Sequence, residues 1–201
     1  MMTQTHLLVG TALFTKPDQW LRNTGVIVGS LLPDAAIFVL FGWSKLVGIE
    51  ERRVWDELYW QEPWRTWVAA QNSVLLYGAL AIVAVLMLRA VRGLFRIGLF
   101  LLFLAAAALA HIALDFPVHH HDAHRHLWPL SDWTFRSPVS YWDPAFHGRT
   151  MMVVEAVLAV GLALWLMTRF RAWWVRGLLA LAIVAYIAVP AYYAYTLGNG
   201  A

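Results

Sequence analysis

No cysteine occurs among the 201 residues. Disulfides, thiolate metal ligands and cysteine nucleophiles are excluded together. Charge is scarce as well: Asp, Glu, Lys and Arg make up 13% of the chain, where a soluble domain carries about a quarter. A basic n-region is missing from Met1 to Thr5, and no small-x-small cleavage site follows Leu7 to Phe14. The N-terminus is therefore not expected to be a cleaved secretory signal. No internal repeat is evident, which argues against an inverted-repeat transporter. The net charge of +3 is no sign of nucleic-acid binding, because the basic residues are placed for membrane topology; no nucleic-acid partner is expected.

What the chain has in quantity is apolar length. Hydrophobic residues make up 61% and the mean hydropathy is +0.59. Leu94 to Ala110 contains one charge, Arg96, and Gly177 to Leu197 contains none. Runs of about 20 apolar residues span a bilayer, and a soluble core helix does not need them. Six helical segments are predicted: Gln4–Thr15, Thr24–Trp43, Val68–Leu88, Leu94–Phe116, Thr150–Thr168 and Val175–Leu197. The last five are long enough to cross; the first is marginal, at most a half-span. Pro117 is expected to end the fourth segment. Pro190 is expected to kink the last one without ending it. The fold class is thus all-α: a polytopic membrane helical bundle, one membrane domain over residues 1–201, with five full spans and a short N-terminal helix.

Orientation follows from Lys and Arg. Three short connections are basic: Lys16 with Arg22; Arg89, Arg92 and Arg96; and Arg169, Arg171 and Arg176. They are expected to face the cytoplasm. The long connections 44–67 and 117–149, and both termini, then face outward, in the periplasm of a bacterial inner membrane. Ile49 to Trp60 reads as an amphipathic interfacial helix, with Val54, Trp55, Leu58 and Tyr59 toward the membrane and Glu50, Glu51, Arg53 and Glu57 toward water. The connection 117–149 has no period and is rich in His, Trp, Pro and Asp. A loop of that length is functional or disordered, and its aromatic content argues for function.

All eight histidines fall on the predicted outer side: His6, His111, His119, His120, His121, His124, His126 and His147. That side was assigned from Lys and Arg alone. His111 and Asp115 are i and i+4, share one helix face, and can chelate one ion. Asp34 follows Pro33 within the second segment. The missing N–H of Pro33 and its clash toward Gly29 should open the helix beside that carboxylate. A buried carboxylate must be protonated, paired or metal-bound. By these boundaries Asp34 lies about 13 Å below the outer helix end, deeper than His111. The run His119 to His126 adds further imidazoles, although such a tract can bind metal without being a site. With imidazole and carboxylate donors and no thiolate, a catalytic divalent ion is expected, zinc first, with manganese or iron as alternatives. Glu155, Gln71, Asn72 and Ser73 lie near outer helix ends; for the last three, helix–helix hydrogen bonding is the expected role.

Thr5-His6-Leu7-Leu8-x-Gly10, then Gly29-Ser30-Leu31-Leu32-Pro33-Asp34, then His111-x-x-x-Asp115 resembles the membrane-bound metal-dependent hydrolases of bacterial inner membranes, the LexA-regulated group and a divergent subgroup of it. The resemblance runs over most of the chain, and its specificity lies in the order and spacing of short motifs. It implies a metal site, a hydrolase and phospholipase-like activity, with His6, Asp34, His111 and Asp115 as the polar core. Many members carry His-Arg and Thr-His-Ser before the third helix. Here Trp64-Arg65-Thr66-Trp67 and Gln71-Asn72-Ser73 stand there, so Asn72 replaces an expected histidine ligand.

Three readings follow. The first is a metal-dependent hydrolase acting on a lipid-like phosphate or acyl ester at the outer leaflet. His6, Asp34, His111, Asp115, His119, His121 and His124 are its candidate ligands, and Asp122 or Glu155 is its candidate catalytic base. The second is a divalent-cation transporter, against which the inner helix halves offer no polar exit path. The third is a non-catalytic subunit or assembly factor of a membrane complex, whose protein partner would meet the twelve tryptophans.

Overall fold

The computed structural model describes residues 1–90 and 92–198, with side chains through residue 192. Among the described residues every regular element is a helix: α1 (Thr3–Phe14), α2 (Trp20–Leu31), α3 (Ala35–Leu46), α4 (Glu51–Asp56), α5 (Trp64–Gln71), α6 (Val74–Ala90), α7 (Phe95–Asp115), α8 (Gly148–Arg169) and α9 (Trp173–Gly198). Four helical stretches are long and apolar enough to cross a membrane: Trp20–Leu46, Arg92–Asp115, Gly148–Arg169 and Trp173–Tyr192. The α5–α6 pair makes a fifth if its 43° bend is taken within one span. Their outer faces stay apolar. On α9, Leu178, Leu181, Val184 and Ile187 are all more than half exposed, a pattern compatible with a membrane protein and costly in water.

Helix α7 lies between α2 and α6, α8 pairs with α9, and α1 bridges the two groups by packing on α2, α7 and α8. Small residues allow the closest of these contacts. A Cβ on Gly25 or Gly29 would run into the α7 backbone at Phe100 and Leu104. Residues four apart share a helix face, so this pair forms the flat seam typical of close helix packing. Gly29, toward which Pro33 was expected to clash, has a second part in the structure: its lack of a side chain lets α7 come close.

The expected opening at Pro33 is a single 3₁₀ turn, Leu32–Asp34, between α2 and α3. The third predicted segment, Val68–Leu88, is broken, because Ser73 caps a new helix there. Its Oγ accepts from Leu76 N at 3.2 Å and donates to Trp128 O at 2.5 Å, while Val74 N donates to His126 O at 2.9 Å. Ser and Asn compete with the helical ladder in this way, so α5 ends at Gln71 and α6 starts at Val74. The interfacial helix is shorter than predicted, one helix of six residues and a 3₁₀ turn, Leu58–Trp60. Its faces agree with the expectation: Val54 is buried, and Glu50, Glu51, Arg53 and Glu57 are exposed. Helix α9 continues through Pro190.

The basic residues used to orient the chain also terminate helices. Helix α1 has no base in its own last turn. Arg169 donates to Ala12 O at 2.8 Å and to Thr15 O, and Arg22 donates to Phe14 O. Arg176 donates to Met167 O in the last turn of α8 and to Phe170 O just beyond it. Cationic side chains on the last carbonyls satisfy orphan acceptors and suit the negative helix end. Arg22, Arg169 and Arg176 thus lie at one end of the bundle, and the histidines lie at the other.

Candidate metal centre and its cavity

His6 comes from α1, Asp34 from the 3₁₀ turn, and His111 and Asp115 from the last turns of α7. These distant residues converge. His6 and His111 stack with ring centroids 3.5 Å apart and planes 10° from parallel. His6 Nε2 lies 2.9 Å from Asp115 Oδ1, and His111 Nε2 lies 3.1 Å from Asp115 Oδ2 and 3.5 Å from Asp34 Oδ1. Asp34 is therefore level with His111, not deeper. Helix α3 continues about 18 Å beyond the site to Leu46, so it rises past the end of α7 and forms one wall above it.

The loop covers the end of α7 and supplies more donors. It is held by its own backbone: Ser137 N donates to His119 O, Tyr141 N to Val118 O, and Ser137 Oγ to Pro117 O. His119 lies with Nε2 3.4 Å from Asp115 Oδ1 and Nδ1 2.9 Å from Asp122 Oδ2. His124 packs 4.7 Å from His119, ring to ring. Two triads are within metal-binding reach, His6–His111–Asp115 and Asp115–His119–His124, each with ligand atoms within 4.8 Å of one another and all of them buried. Their ring nitrogens sit beside carboxylates yet make no hydrogen bond: His6 Nε2, His111 Nε2, and both nitrogens of His119. Buried polar atoms are almost always paired, so ring nitrogens crowded on shared carboxylates without a well-directed hydrogen bond fit the ligation of an ion. His111 Nδ1 pairs with Ser30 O at 2.8 Å, which fixes the ring and leaves Nε2 as the free donor. The Met1 amino nitrogen also contacts Asp115 Oδ1.

Outside the helices, the protonation states follow the surroundings. Burial opposes a charged His119, but the Asp115 and Asp122 carboxylates at its two nitrogens outweigh it and raise its pKa to about 8. Burial, with His119 adjacent, pushes His124 well down, so its imidazole is neutral and carries a lone pair. Burial would raise Asp122, yet His119 holds it below the usual carboxylate range.

The other candidates are placed elsewhere. His121 is half-exposed and faces Asp143 at 3.7 Å, so the structure does not bring it to the cluster. The turn at His121 and Asp122 directs it outward, and His124 and His126 are the buried pair, with Arg125 between them turned toward Glu62 and Asp132. His126, not singled out from sequence, pairs Nδ1 with Asn72 O at 3.0 Å; an irregular segment carries no periodic signal that could have marked it. Glu155 is buried on α8 and accepts from Met2 N at 2.7 Å and from Thr5 Oγ1. It anchors the strand of chain that carries His6 and lines no part of the cavity. Asp122 does line it: Oδ2 accepts from Trp142 Nε1 at 3.1 Å, and Oδ1 is unpartnered. Gln71, Asn72 and Ser73 hold the frame. Ala36 N donates to Gln71 Oε1 at 2.6 Å, and Asn72 Nδ2 donates to Pro33 O at 3.1 Å.

Above the cluster is a cavity of about 280 Å³. Asp34, His119, Asp122 and His124 form its polar floor, and Ile37, Phe38, Phe41, Trp55, Tyr59 and Tyr141 its apolar walls. Glu51 stands at the rim, and no Lys or Arg lines it. Comparison with known proteins finds no family model, curated protein or solved structure that matches this chain.

Proposed function

We propose that this chain is a metal-dependent hydrolase of the bacterial inner membrane that cleaves a phosphate or acyl ester in a lipid-like substrate at the outer leaflet. The observation that carries the reading is the group of buried imidazoles gathered on Asp115 beneath an aromatic-walled cavity. The likeness of the His6, Asp34 and His111-x-x-x-Asp115 motifs to metal-dependent membrane hydrolases supports it. Five spans, a short N-terminal helix and an outward-facing site complete the proposed arrangement, with the Lys/Arg distribution as its support.

His6, His111 and Asp115, with Asp34 beside them, would hold the ion. A bound divalent ion supplies a Lewis acid and lowers the pKa of its water toward neutrality. The chain's own residues do the rest. Asp122 is held in orientation by Trp142 and His119, and its unpaired Oδ1 takes the proton from the attacking water. The aromatic walls exclude bulk water and guide apolar chains toward the membrane. A headgroup fits a cavity of this size only if its acyl chains lie along the α3 wall or leave it.

The test is hydrolysis of defined phospholipids in mixed micelles by the detergent-purified chain. Turnover abolished by a chelator and restored by zinc or manganese is expected. Complete metal loading without release of any headgroup or fatty acid, across phosphodiester and acyl ester substrates, would overturn the reading.

A further inference from the structure

The Asp115 carboxylate has imidazole donors on both sides. Oδ1 lies 2.9 Å from His6 Nε2 and 3.4 Å from His119 Nε2, and Oδ2 lies 3.1 Å from His111 Nε2. The two buried triads share no other residue. We propose that Asp115 bridges two divalent ions, an inner one held by His6 and His111 with Asp34, and an outer one held by His119 and His124. The inference rests on the hydrolase reading and extends it to a two-ion centre.

Charge argues for the second ion. Asp34 and Asp122 line the cavity and Asp115 lies beside it; no Lys or Arg side chain lines the cavity, and the Met1 amino group at Asp115 Oδ1 offsets one of the three charges. Like charges so confined repel strongly unless cations neutralise them. With the Met1 amino group on Asp115 counted, a single divalent ion brings the three carboxylates only to neutrality. A pair of ions leaves the floor net positive, as an anionic phosphoryl group requires. The donor nitrogens on Asp115 divide the same way: His6 Nε2 and His111 Nε2 on the inner side, and His119 Nε2 on the outer. Asp122 then stands behind His119, at 2.9 Å from Nδ1, the carboxylate–imidazole arrangement that orients a metal-ligating ring. The outer position is the one that borders the cavity, because His119 and His124 line it while His6 and His111 do not. The inner ion accordingly organises the bridge, and the outer one meets the substrate.

The experiment is manganese reconstitution of the metal-free, full-length chain in detergent, read by elemental analysis and low-temperature electron paramagnetic resonance. The wild type should take up about two ions per chain with a spin-coupled signal, as two-metal sites bridged by a carboxylate do. His124→Ala and His6→Ala, each confirmed as folded by gel filtration and circular dichroism, should each retain about one ion with an isolated-ion signal. The wild-type signal needs no variant, so a misfolded variant leaves the proposal exposed to test. One uncoupled ion per wild-type chain would overturn the bridge while leaving a one-metal hydrolase intact. No retained manganese or zinc would overturn the hydrolase reading as well.

Discussion

Two of the clustered imidazoles are positioned through an atom other than the one they offer. His111 turns Nδ1 to Ser30 O, and His119 has Asp122 at Nδ1. His111, Asp115 and Asp34 were legible in the sequence because ionisable residues are rare in apolar helices and i, i+4 spacing puts two of them on one face. The choice of loop histidines was not legible. An irregular backbone has no period, so nothing in the run separates the outward His121 from the buried His124 and His126. His121→Ala should therefore leave metal content unchanged, whereas His119→Ala should lower it; inductively coupled plasma analysis of both variants decides. Asp122→Asn should keep the metal and lower turnover by a factor on the order of 10²–10⁴, the range for loss of a general base. An unchanged rate would remove Asp122 from the chemistry.

Elements carry the frame. Periodicity and apolar length located the long helices, but the break at Asn72 and Ser73 depends on partners 39 to 55 residues away, Pro33 and Trp128. A local reading of Val68–Leu88 had no access to them. The same applies to α1, whose placement depends on Glu155 at one end and on Arg22 and Arg169 at the other. Glu155→Ala leaves the Met2 amide and the Thr5 hydroxyl without their buried acceptor, at a cost of about 1–3 kcal/mol. It should lower the thermal midpoint and weaken metal binding through His6, although Glu155 touches no ligand. Gly29→Val drives a side chain into Leu104 of α7, and overpacking of that kind costs about 1–3 kcal/mol. Gly42→Ala, inside α3 with open space around its Cβ position, should stabilise by about 0.5–1 kcal/mol and raise the midpoint in the same melting assay.

At the scale of the whole molecule, the arginines of the short connections gather at one end and the histidines at the other, while Arg52, Arg53, Arg65, Arg125 and Arg136 belong to the two long connections. This polarity was visible in the sequence as a bias in loops, but the arginine caps on α1 and α8 show that some of those charges also satisfy backbone carbonyls. Orientation is therefore tested directly. A chain without cysteine accepts single reporters: Leu130→Cys in the His-rich loop and Gly93→Cys in a basic connection, both at exposed positions. A membrane-impermeant thiol reagent should label the first in intact spheroplasts and the second only after lysis; the opposite pattern would invert the proposed topology and move the site to the cytoplasm.

The central claim is that the buried histidines and aspartates hold metal. Elemental analysis of the detergent-purified, dialysed chain beside the double variant His111→Ala, Asp115→Ala tests it most directly. The account expects zinc, manganese or iron at one equivalent or more in the wild type, and loss of the inner ion from a variant that still folds. A wild-type protein that retains no transition metal after being supplied with each of them would contradict it.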